Sequence, residues 1–158
     1  MAFESPSGGG DGALMHAPPD DPPRQLALQV LLGLCAAAVL ALGLHMARPW
    51  GDNYAYREAS SYLVLGGLLL WALSPYAGLA LGARLFRRWN VARRVFAAGA
   101  ACVGMGGLLV YADVAFVHPD AQGGLAFLTA PVAQWAATAG LAAIAAILVA
   151  WQHRSRRT

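Results

Sequence analysis

Four apolar stretches, each long enough to cross a bilayer, dominate this chain and leave few folds open to it. They run over residues 26–47, 62–85, 95–117 and 125–151. A helix rises about 1.5 Å per residue, so about 20 residues span a hydrocarbon core of about 30 Å. In hydrocarbon every backbone N–H and C=O must be paired within the segment, and helices do this locally. The pattern predicts an all-α membrane protein, with four transmembrane helices in an up-down bundle because the connecting loops are short.

Polar composition collects at the ends. Residues 1–24 hold a Gly- and Ser-rich run followed by four prolines and two aspartates over Ala17–Pro23. Such a segment cannot bury enough apolar surface to offset the entropy of ordering it, and it reads as a disordered tail. The transmembrane domain then covers residues 25–152, with a short basic tail at 153–158. The first apolar stretch is too long for a signal-peptide core and no basic run precedes it, so it is expected to be retained as a span.

All eleven basic residues are arginine, and their distribution is uneven. Arg24, Arg84, Arg87, Arg88, Arg93, Arg94, Arg154, Arg156 and Arg157 fall on one side of the four-span topology; only Arg48 and Arg57 fall on the other. Arginine in short loops marks the cytoplasmic face, so both termini are expected there, in a bacterial inner membrane. Trp89 and Trp151 suit the inner aromatic belt, and Trp50, Tyr54 and Tyr56 the outer one. Topology accounts for the arginine loop, and a polybasic lipid-binding site is the competing reading. A formal net charge of +3, so placed, gives no reason to invoke nucleic acid.

Helix packing is expected from small residues at four-residue spacing, which let backbones approach closely in lipid. Gly33, Ala37 and Ala41 form such a face on the first helix, Gly78 and Gly82 on the second, Ala98, Cys102 and Gly106 on the third, and Ala136 and Gly140 on the fourth. Cys35 and Cys102 read as small packing residues rather than a redox pair, since no CxxC is present.

Polar groups inside the spans are the candidates for function. Asp113 lies near the outer end of the third helix. It shares the face of Ala98, Cys102, Gly106 and Leu109 and is therefore expected to point into the bundle. Gln134 lies about 14 Å into the fourth helix, near the midplane, with Thr138 one turn on. Pro131 is expected to free a backbone carbonyl and to loosen or kink its helix, with a similar break in the second helix at Ser74, Pro75 and Tyr76. Gln134 is expected within reach of the glycine-rich stretch of helix three around Gly104, Gly106 and Gly107. His45, His118, Asp113, Asp120, Asp52 and Glu58 would all sit towards the outer side, where a nitrogen–oxygen metal site is conceivable. No close ligand pair such as HxxxH supports it, so no metal or cofactor is expected.

Tyr111, Asp113, Phe116, Asp120, Ala121, Gln122, Leu125, Phe127, Pro131 and Gln134 form a denser pattern across the third loop. The order is an acid before the hairpin, an Asp-Ala-Gln turn, then Leu, Phe, Pro and Gln entering the last helix. It resembles a family of small four-helix bacterial inner-membrane proteins. The resemblance covers about a quarter of the chain and implies topology, with no activity attached. Physically, Pro119 and Gly123–Gly124 permit the reversal, while Asp120 and Gln122 can satisfy helix-end groups.

No Ser-His-acid set or HExxH helix is present, no membrane-embedded Glu occupies the first helix, and no outer cysteine pair exists. An enzyme is not expected. The sequence reads as an accessory or interaction component of a membrane complex, bound in the lipid bilayer to a protein partner or as a homo-oligomer. The alternative is a small-solute or proton transporter using Asp113 and Gln134, and an outer-side metal or redox site comes third. The candidate polar cluster is Asp113, His118, Asp120, Gln122, Gln134 and His45.

Overall fold

A computed structural model describes residues 22–49, 58–117 and 123–155. Among these, four helices follow one another: α1 (Pro22–Ala47), α2 (Ala59–Leu85), α3 (Asn90–Phe116) and α4 (Gly123–Ser155). A 3-10 turn over Phe86–Arg88 joins α2 to α3. The four helices are long and apolar enough to cross a membrane. Each extends beyond its apolar stretch by one to several residues at one or both ends, as expected if helices continue into the headgroup region where water meets their ends. Helix α1 thus includes Pro22, Pro23 and Arg24, which the composition assigns to the tail. Proline suits a first turn, where its missing N–H would have had no intrahelical partner.

The surface is inverted relative to a water-soluble protein. Leu63, Leu70, Leu109, Phe116, Ile147 and Trp151 are each 66% or more exposed. Between 17% and 28% of the residues in each span's most apolar window are buried within the bundle, as suits helices whose outer faces meet lipid. The chain is a multi-pass membrane protein in architecture.

Contacts fix the arrangement. Antiparallel neighbours are α1 with α2, meeting at Gly43–Leu69, and α3 with α4, meeting at Gly99–Leu141 and Tyr111–Phe127. Parallel neighbours are α1 with α3, through Leu32 and Gly104, and α2 with α4, through Gly78 and Trp135. Helices α2 and α3 touch across the short diagonal, where the Phe96 ring reaches Gly82 and the Tyr76 hydroxyl reaches the Gly104 carbonyl. Helices α1 and α4 lie on the long diagonal and meet where Phe127 reaches Gly43. The section is a rhombus with all sequential pairs running up and down.

The core mixes large and small side chains. Tyr111, Phe96, Leu79, Val39, Pro75 and Pro131 are its largest fully buried side chains. The small-residue faces behave differently from expectation. Gly78 and Gly82 do receive neighbours, but these are the Trp135 and Phe96 rings rather than a helix backbone. Gly33, Ala37 and Ala41 are exposed, as are Ala98, Cys102 and Gly106 on α3 and Ala136 and Gly140 on α4. The space around the bundle axis takes the large side chains together with small ones, Ala72, Ala92, Ala100 and Ala145, at the density of a packed interior. The small faces are left toward lipid.

A polar seam at mid-span

Proline stands inside α2 and α4, at Pro75 and Pro131. The helical segment continues through the proline in both cases. In α2 the reason is local. Pro75 cannot donate to the carbonyl four residues back, which belongs to Trp71. The Ser74 hydroxyl donates to that oxygen instead, at 2.8 Å. Ser74 in turn accepts from the Trp135 indole N–H of α4 at 3.0 Å. Trp71 reaches the other way, donating its indole N–H to the Leu128 carbonyl at 3.3 Å in the turn before Pro131. Two tryptophans thus cross-link the two proline turns of parallel helices.

Behind this clasp, Gln134 and Thr138 are buried, at 5% and 6% exposure. Thr138 donates back to the Gln134 carbonyl at 2.7 Å, which spares a hydroxyl from hydrocarbon. The Gln134 side chain lies over Gly107 of α3, where a methyl group would overlap its amide. Its Nε2 points to the Val103 carbonyl at 3.5 Å, a long contact. Tyr76 of α2 donates its hydroxyl to the Gly104 carbonyl at 3.1 Å, one turn away on the same glycine-rich stretch. The glycines do two things here: they admit the polar side chains and bare the backbone oxygens that receive them.

Among the described residues, two buried atoms remain without a partner, Oε1 of Gln134 and the hydroxyl oxygen of Tyr111. Tyr111 is fully buried with its ring 4.8 Å from that of Phe127. An unpaired buried acceptor carries most of its desolvation cost with nothing to offset it. Gln134 also lines a groove on the lipid side of α3 and α4. Its walls and floor include Gly106, Gly107, Ala130, Ala133 and Ala137, and its volume is about 430 Å³.

Of the residues expected to cluster, Asp113, Gln134 and His45 are among the described residues. Asp113 does share the face of Ala98, Cys102 and Gly106, but that face is exposed, so the carboxylate does not enter the bundle. Tyr111 takes the buried position, which rotates Asp113 outward. His45 is exposed at the end of α1, its ring 6.2 Å from that of Phe116. His118, Asp120 and Gln122 lie outside the described residues, as do Asp52, Trp50, Tyr54 and Tyr56. Among the described residues, no three His, Cys, Asp or Glu side chains come together. Of the expected cluster, the described part brings only Gln134 into the core.

Tyr76 and the tryptophan clasp were not singled out by their sequence positions, and Tyr111 entered only as part of the third-loop pattern. A tyrosine near the centre of an apolar span, away from either aromatic belt, is the signal that was there to be used. No family model, no curated protein and no solved structure matches the chain.

Proposed function

We propose that this protein acts as an interaction component of a membrane complex, docking a transmembrane helix of another protein into the α3–α4 groove. The observation that carries this reading is the groove itself, lined by the small residues Gly106, Gly107, Ala130, Ala133 and Ala137 of α3 and α4. Small residues allow close helix approach in lipid. The fitting occupant is a helix that presents small residues of its own to the groove. Thr129, also in the lining, offers a polar contact.

A carrier would need Asp113 and Gln134 on one polar path. Asp113 stands on the exposed face, and Tyr111, Phe127 and Pro131 are all buried around the outer half of α4. That favours the interaction reading. We further place the chain in a bacterial inner membrane with both termini in the cytoplasm. The nine-to-two arginine asymmetry and the resemblance of the third loop to small inner-membrane proteins support this.

The test is site-directed photocrosslinking in native membranes, with a benzophenone amino acid placed in turn at Val110, Ala133 and Ala137 in the groove and at Leu63 and Leu70 on α2. An adduct with a different polypeptide from the groove positions alone is the expected result. Adducts only with a second copy of this chain, or adducts equal on both faces, would overturn the proposal.

A further inference from the structure

The polar groups at mid-span form a set that packing alone does not call for. Gly104, Gly107 and Tyr111 share the buried face of α3. A side chain in a helix leans back over the turn before it, so Tyr111 carries its hydroxyl towards Gly107. The Gln134 amide of α4 lies against Gly107, and the Tyr76 oxygen of α2 would stand 3.1 Å from a methyl group built there. Tyr76 is close enough to interact with the Gln134 side chain, with Tyr111 and with the buried Cys35 thiol of α1. Each of the four helices thus sends a side chain with a polar or polarisable tip to one level of the bundle.

The atoms left over are complementary. The Tyr111 hydroxyl can donate and Gln134 Oε1 can only accept, yet no hydrogen bond joins them. Both residues are more than nine-tenths buried. Flipping the amide does not help, because Nε2 is the atom that faces the Val103 carbonyl and a flip would set two oxygens against each other. The Tyr76 hydroxyl gives its proton to the Gly104 carbonyl, which leaves its own oxygen able to accept. One donor and two acceptors, all buried, are what a single water molecule can satisfy. Polar groups that approach without touching are commonly joined this way.

We propose that a water molecule is bound inside the bundle among Tyr111, Gln134 and Tyr76. It accepts a hydrogen bond from the Tyr111 hydroxyl and donates one to Gln134 Oε1 and one to the Tyr76 oxygen. About three partners is usual for a buried water. Hydrocarbon supplies none, so the water takes the place of a partner side chain and ties α2, α3 and α4 together at their common centre. Oε1 is buried away from the α3–α4 groove, and the site stands whether or not that groove receives a helix.

Solid-state NMR of the full chain in bilayers of deuterated lipid tests this, reading magnetisation transfer from water to the Gln134 side-chain amide. Gln134→Leu identifies that signal by its loss. Transfer to the amide is expected in the parent, although the group is sealed from bulk solvent. No transfer would overturn the proposal, as would a direct contact between the Tyr111 hydroxyl proton and the amide in place of the water. Tyr111→Phe keeps the ring against Phe127 and removes the donor, so the water signal at Gln134 is expected to disappear. Undiminished transfer in that variant would overturn the site. If Tyr111→Phe does not fold, Tyr76→Phe takes its place, with reduced transfer expected and unchanged transfer contradicting the proposal.

Discussion

Gly107 and Gln134 occupy one space between them, and each explains the other. A side chain at 107 would take the volume of the Gln134 amide and crowd the Tyr76 hydroxyl at 3.1 Å. Gly107→Ala should therefore lower stability by about 1–3 kcal/mol, the usual cost of overfilling a packed site, read from thermal unfolding in detergent. Gln134→Leu is the informative contrast. It removes a long contact to Val103 and with it an unpaired buried acceptor, two effects of opposite sign. The variant should stay within about 1 kcal/mol of the parent. A larger loss would mean that the amide holds more than the long contact to Val103.

The elements tell how two prolines are kept inside continuous helices. In α2 the freed Trp71 carbonyl is taken by Ser74, and Ser74 is held by Trp135 from α4. A double-mutant cycle on Ser74→Ala and Trp135→Phe should show coupling of about 0.6–1.7 kcal/mol, the range found for hydrogen bonds between transmembrane helices. Additive losses would mean the indole N–H does not serve the hydroxyl. The pairing of α4 with α3 through Gln134 was legible in the sequence, because a mid-span amide and a glycine-rich stretch joined by a short loop have few other choices. The facing of Asp113 was not. Periodicity assigned it correctly to the face of Ala98, Cys102 and Gly106. Which face turns inward depends on how the whole set of side chains packs, and on α3 Tyr111 and Phe96 took the inner positions. Small-residue spacing signals close approach without saying whether the approaching helix belongs to the same chain.

At the scale of the molecule, four apolar lengths were enough to give the class and the order of spans. The rhombic section was not legible, since it rests on which side chains cross the α2–α3 diagonal. Orientation is open to direct measurement. Reporter fusions after Arg94 and after Arg157 should give cytoplasmic signals, and fusions within residues 52–60 external ones; reversal at any two of these sites would contradict the assignment. The central claim, however, is that the α3–α4 groove receives a foreign helix. Gly106 isolates it, because a Cβ built there meets nothing within 4 Å. Gly106→Leu should leave the fold intact while filling the groove. The decisive measurement is the crosslink yield from Ala133 in native membranes, compared between the parent and Gly106→Leu at matched thermal stability. The account predicts a strong heterologous adduct in the parent and its loss in the variant; an undiminished adduct in Gly106→Leu would contradict it.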